Sequence, residues 1–234
     1  MTVYSISGFS DPVSSMSHLF SSPIFLTIGI IMLWNLRGDL SRTLSLFIFT
    51  FAVVFLLAMS GVFHLLTPGS NGRYVLQILD HAAIFILIAA TFTPIHVLQF
   101  KGFMRWGILL LVWGTAIMGI TLKSIYFEDV PEILSLTLYL GLGWLGALTG
   151  YLLYQRMGLK RILPLIYGAM AYTLGATLEF MRYPILIPGI VGPHELFHIM
   201  VLLGISFHWQ FAHRMAQMHK LAIASMIPGP INDR

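Results

Sequence analysis

The chain has no cysteine and very little charge. Without cysteine there is no disulfide framework and no thiolate for nucleophilic or soft-metal chemistry. A metal site would have to be built from His, Asp or Glu. Charged residues make up 9% of the 234 positions, against about 25% in a soluble globular chain. Together with a mean hydropathy of +0.85, that scarcity excludes a soluble domain, a disordered chain and a nucleic-acid binder. The net charge of +4 rests on 13 Lys and Arg. These sit between apolar runs, so they bear on membrane topology rather than on a polyanionic partner.

What is present is hydrophobic sequence, 57% of the chain, together with nine histidines. A helix that spans a bilayer needs ~20 mostly apolar residues. The runs predict an all-α polytopic membrane protein, a seven-transmembrane helix bundle forming a single domain over residues 1–234. Its spans lie at roughly 15–36, 43–66, 78–99, 104–123, 133–154, 162–180 and 194–213. The second stops at the turn signal Thr67-Pro68-Gly69-Ser70-Asn71-Gly72. Beyond Arg214 a mildly amphipathic tail breaks at Pro228-Gly229-Pro230.

Seven spans divide the loops between two faces. The face that carries the N-terminus holds Arg73, Lys123 and Arg182. The other holds Arg37, Arg42, Lys101, Arg105, Arg156, Lys160, Arg161, Arg214, Lys220 and Arg234, which completes the 13 basic residues. The excess of Lys and Arg makes the second face cytoplasmic. The expected orientation has the N-terminus outside and the C-terminus inside.

Ionisable groups within spans are expensive and mark function. His64 lies near the end of span two, with Ser60 one turn earlier on the same helical side. Asp80 opens span three. His194 and His198 open span seven at i, i+4 and so project from one side. Alternating helix direction brings these ends into one layer, near the face of the N-terminus. His208 sits roughly 15 Å deeper than His198, and His96 roughly 24 Å along its helix from Asp80, at 1.5 Å rise per residue. His18 and His81 have the right depth but no paired partner. Three imidazoles with one open position are a known catalytic zinc arrangement. Asp80 would then hold or deprotonate the water, and Ser60 would hydrogen-bond water or substrate. A His in a span is otherwise a packing residue, and Ser60 otherwise bonds back to its own helix.

The stretch His194-Glu195-Leu196-Phe197-His198 also fits the metalloprotease pattern H-E-x-x-H, with Glu195 as general base. In that reading an intramembrane protease would recruit its third ligand from upstream, from His64 or Asp80. Glu195 otherwise caps the helix start, where negative charge is favourable.

Three blocks carry a family resemblance. They are Ser60-Gly61-Val62-Phe63-His64; Leu79-Asp80-His81-Ala82-Ala83-Ile84 running on to Ile88-Ala89-Ala90-Thr91-Phe92-Thr93-Pro94; and Pro188-Gly189 followed by His194-Glu195-Leu196-Phe197-His198 and His208. In order and spacing the chain resembles the progestin and adipoQ receptor family, which includes the adiponectin receptors and the bacterial hemolysin III-like proteins. The opening from Ser14 to His18 is similar to that of the bacterial members. The resemblance implies zinc (Zn2+) held at His64, His194 and His198, with Asp80 and Ser60 around the bound water. It also implies a ceramidase-like hydrolase acting on a lipid amide, with a membrane lipid as substrate, in a bacterial inner membrane. Family members carry other residues where this chain has Glu195, which counts against an essential base there. Ala90 replaces a usual Gly. The adiponectin receptors place the site towards the cytosol, opposite to the loop charges here. A non-enzymatic class stays open: a ligand sensor or channel-like protein in which zinc only ties helices together.

Overall fold

The computed structural model describes residues 9–226, and these contain eight helices. They are α1 (Pro12–Leu36), α2 (Leu40–Leu65), α3 (Asn71–Gln99), α4 (Phe103–Ile125), α5 (Glu132–Trp144), α6 (Gly146–Met157), α7 (Leu159–Met181) and α8 (Pro193–Met226). Helices α5 and α6 meet at Leu145 and form one apolar stretch, Glu132–Met157, where a single span is expected. Counting that stretch once, six helices are long and apolar enough to cross a membrane. This is an all-helical integral membrane protein. Helix α8 has 34 residues but is not one of the six. His194, Glu195, His198, His208, His213, Arg214, His219 and Lys220 all lie on it and lower its hydropathy.

Two boundaries differ from the sequence reading. Helix α3 starts at Asn71 rather than near 78, because the Ser70 side chain accepts the Arg73 backbone N–H and caps it. Asp80 therefore sits well inside α3 instead of opening it. Helix α8 runs on past 213, since no Gly or Pro interrupts residues 205–226. The extension is anchored where Lys220 Nζ donates to the Asn35 carbonyl at 2.6 Å. Arg42 is buried beside it, its Nε donating to the Leu36 carbonyl at 2.6 Å and satisfying the end of α1. The expected break at Pro228-Gly229-Pro230 and the terminal Arg234 lie outside the described residues.

Helix α2 packs between α1 and α3, α3 packs on α4, and α8 lies against α7, α1 and α3. The main core joins α1, α2, α3 and α8 through Met32, Phe49, Val53, Leu57, Ala83 and Ile205, all almost fully buried. Elsewhere large apolar side chains such as Phe20, Trp34, Leu110 and Met170 point outward. Such a surface suits lipid and would be a liability in water. Small residues let helices approach closely. At Gly168 on α7 a Cβ would come within 2.3 Å of the His208 ring, so α7 and α8 touch there ring to backbone.

Candidate metal centre

His64 lies in the last turn of α2, and His194 and His198 lie in the first turns of α8. The expected convergence of these ends is realised. His194 Nε2 is 3.1 Å from His64 Nε2 and 3.1 Å from His198 Nε2. One donor atom from each of the three rings falls within 4.8 Å of the others. His64 and His198 are buried, while His194 is half-buried, so the cluster opens on the His194 side. Two nitrogens bound to one tetrahedral zinc at about 2.0–2.1 Å stand about 3.3–3.4 Å apart. The observed spacing is close to that.

The outer nitrogens fix how the inner ones face each other. His64 Nδ1 donates to Asp11 Oδ2 at 3.0 Å. His194 Nδ1 stands 3.3 Å from Glu179 Oε1, an ion-pair distance. With the ring proton on Nδ1 in both, each neutral ring turns a lone pair outward at Nε2. A carboxylate facing each Nδ1 favours that tautomer, and the two Nε2 lone pairs are then opposed across 3.1 Å. That arrangement is repulsive unless a cation or an extra proton lies between them. Carboxylates behind the imidazoles are also what metal-ligating histidines require, since they fix the tautomer and raise basicity. The residues therefore fit a divalent metal.

Asp11 is itself held. Arg73 Nη2 donates to the same Oδ2 at 2.6 Å. Burial pushes the Asp11 carboxyl upward, but the hydrogen bonds from His64 and Arg73 outweigh it and hold the group at about 2. The sequence reading overlooked Asp11 and Glu179. Glu179 ends α7 at the same face that brought in the three histidines, so helix parity was the signal that pointed to it.

Asp80 does not belong to the three-histidine group. Its Oδ2 stands 4.0 Å from His81 Nδ1, and it has no hydrogen bond among the described residues. The His81 nitrogen instead pairs with the Gln77 carbonyl at 2.8 Å. Ser60 is buried, and its hydroxyl has no hydrogen bond among the described residues either. Thr91 and Thr93, by contrast, bond back to carbonyls four residues earlier. Neither Asp80 nor Ser60 is committed to another structural contact of that kind.

Glu195 is committed. Its Oε2 accepts the Gly192 backbone N–H at 2.8 Å, and its Oε1 accepts the Ser14 hydroxyl at 3.1 Å. It closes the start of α8 in the manner of a capping box and ties that start to α1. His208 packs against Gly168 and pairs its Nε2 with the Leu165 carbonyl at 3.2 Å, remote from the cluster.

The profile of haemolysin-III related proteins matches residues 9–209. The chain is 30% identical over 167 residues to the hemolysin-3 homolog of Bacillus subtilis, covering 71% of this chain and 75% of that protein. It is 30% identical over 127 residues to hemolysin-3 of Bacillus cereus, covering 54% of this chain and 55% of that protein. Asp11, His64, Asp80, Glu179, His194 and His198 all fall inside the stretch matched by the profile. The chain belongs to the haemolysin-III related family.

Proposed function

We propose that this protein is a zinc-dependent membrane hydrolase that cleaves a lipid amide. The observation that carries the reading is the convergence of the His64, His194 and His198 Nε2 atoms, with a carboxylate facing the outer nitrogen of His64 and of His194. His64, His194 and His198 would hold the metal. A zinc ion at such a site supplies Lewis acidity and makes water nucleophilic near neutral pH. Asp80, near the cluster but not in it, suits a carboxylate that accepts a proton from water and passes it to the leaving amine nitrogen. The uncommitted Ser60 hydroxyl suits a donor to the substrate carbonyl oxygen. The cluster lies within a turn or two of the helix ends, at a depth where the polar head and amide of a lipid sit while its acyl chains run along the apolar helix surfaces.

In this reading α8 is the seventh span: Glu195, His198 and His208 are buried against neighbouring helices, and the exposed Arg214 and Lys220 lie at its far end. The whole chain is then one membrane domain in a bacterial inner membrane, with its N-terminus outside and its C-terminus cytoplasmic. Glu195 is not the general base, because both of its oxygens are engaged in capping α8 and bonding Ser14.

The test is turnover of a short-chain ceramide by the purified, zinc-loaded protein in micelles. Fatty acid release that is lost on chelation and in Asp80→Asn supports the reading. Stoichiometric zinc with no cleavage of any lipid amide or peptide would assign the metal to tying helices in a sensor or channel-like protein.

A further inference from the structure

The three cluster imidazoles are not held alike. His64 donates Nδ1–H to Asp11, and His194 Nδ1 stands 3.3 Å from Glu179 Oε1, so a carboxylate backs each of these two rings. His198 has no such partner. Its Nδ1 is buried without a hydrogen bond among the described residues. What faces His198 instead is a flat ring. His18, on α1, stacks on it with centroids 4.0 Å apart and planes inclined by 23°. His18 is 2% exposed, and neither of its ring nitrogens has a hydrogen-bond partner among the described residues.

The turn of α1 that carries His18 is fastened to both helices that bear the cluster. Ser15 Oγ donates to the Gly61 carbonyl on α2 at 2.8 Å. Ser14 Oγ donates to Glu195 on α8 at 3.1 Å. Leu19 lies so close to Gly61 that an added Cβ would stand 2.7 Å from its Cγ and 3.0 Å from its backbone nitrogen. His18 is therefore placed against His198 by a rigid segment rather than by a free side chain.

We infer that His18 is a positioning residue for the metal centre: its ring face fixes the plane of His198 and aims Nε2 at His64 and His194, in place of the carboxylate that the other two imidazoles have. The inference rests on the metal reading above. A ring held only by rotation about its own side-chain bonds would sample other planes, and each ion bound would have to reorder it. A stacked neighbour removes that cost in advance.

The experiment uses the full-length protein, stripped of metal in detergent and titrated with Co2+, whose visible absorption reports the ligand geometry. Chelator competition gives the affinity. The variants are His18→Ala, His18→Leu and His18→Phe. Loss of a group supporting a metal ligand costs about 10–100-fold in affinity, so Ala and Leu should weaken binding by that factor and change the cobalt spectrum. His18→Phe keeps a flat face, so it should retain the wild-type spectrum and an affinity within about threefold of the wild type. If Ala or Leu matches the wild type, or Phe is as weak as Ala, the inference is overturned. The Phe-to-Leu comparison decides the matter even if the Ala variant does not fold. No cobalt uptake by the wild type would overturn the metal reading and this inference with it.

Discussion

His194 Nδ1 stands 3.3 Å from Glu179 Oε1, and its other ring nitrogen, Nε2, faces His64 at 3.1 Å. Glu179 closes α7 and His194 opens α8, so the segment between them sets the geometry of the cluster. Asp11 does the same for His64 across 53 residues of sequence. Two carboxylates at helix ends thus back two of the imidazoles and favour the tautomer that turns Nε2 towards the cluster.

These supports are expected to be measurable. Glu179→Gln and Asp11→Asn should each lower zinc affinity by about 10–100-fold in chelator competition. Asp11→Asn should also lower stability at neutral pH by about 1–2 kcal/mol, a figure reduced for its partial exposure. The hydrogen bonds from His64 and Arg73 hold the folded Asp11 carboxyl at about 2, below the usual carboxylate range. The gain is complete above the unfolded value and is lost as pH falls through about 2. The gap between wild type and variant should therefore close on acidification. A gap that widens in acid would contradict the Asp11 assignment.

Much of this architecture was legible in the sequence. Spans one to four are long uninterrupted apolar runs, and their positions hold to within a few residues except at the start of α3. There Asn71-Gly72-Arg73 looks like turn chemistry, yet Ser70 caps a helix through it. The end of α8 was hidden because its polar residues read as a tail, although they dock on α1 and α2 through Lys220 and His219. His64, His194 and His198 could be found because i, i+4 spacing and helix direction are periodic signals. Helix direction brings Glu179 to the same face but gives it no periodic partner, and Asp11 has no such signal. A lone carboxylate at a span end resembles an ordinary interfacial residue, and its bond to a distant imidazole leaves no local pattern. The stack of His18 on His198 leaves none either.

Asp80 and Glu195 are expected to separate cleanly. Asp80→Asn should keep its zinc but lose about 10²–10⁴-fold in lipid-amide turnover, the usual contribution of a positioned acid–base group. Glu195→Gln keeps a carbonyl oxygen at the cap, so turnover should fall much less. Glu195→Ala should cost about 1 kcal/mol of stability through the lost cap. If Glu195→Gln abolishes turnover while Asp80→Asn is mild, the protease-like reading of His194-Glu195-Leu196-Phe197-His198 is the correct one.

Gly61 is expected to tolerate no side chain. The 2.7 Å approach to Leu19 Cγ and the 3.0 Å approach to its backbone nitrogen leave no room for a methyl group. Gly61→Ala should destabilise by about 1–3 kcal/mol, the typical cost of overpacking. It should also weaken metal binding, since Gly61 lies between Ser60 and His64. An unchanged thermal midpoint in detergent would show that α1 and α2 separate more freely than they pack here.

Topology can be read with single cysteines in this cysteine-free chain, at Ser70 and Ser225, both exposed. An impermeant reagent applied to intact cells should label Ser70→Cys and not Ser225→Cys. The reverse pattern would place the metal centre towards the cytosol, as in the adiponectin receptors, against the basic residues of the loops.

The most direct measurement is the zinc content of protein purified without chelator. About one zinc per chain is expected in the wild type and in His208→Ala, whose imidazole is occupied by Leu165 and Gly168. His194→Ala and His198→Ala should lose most of it, because three ligands with one open position define the site. Wild-type zinc levels in both of those variants, or no zinc in the wild type after zinc-supplemented growth, would contradict a metal centre at His64, His194 and His198.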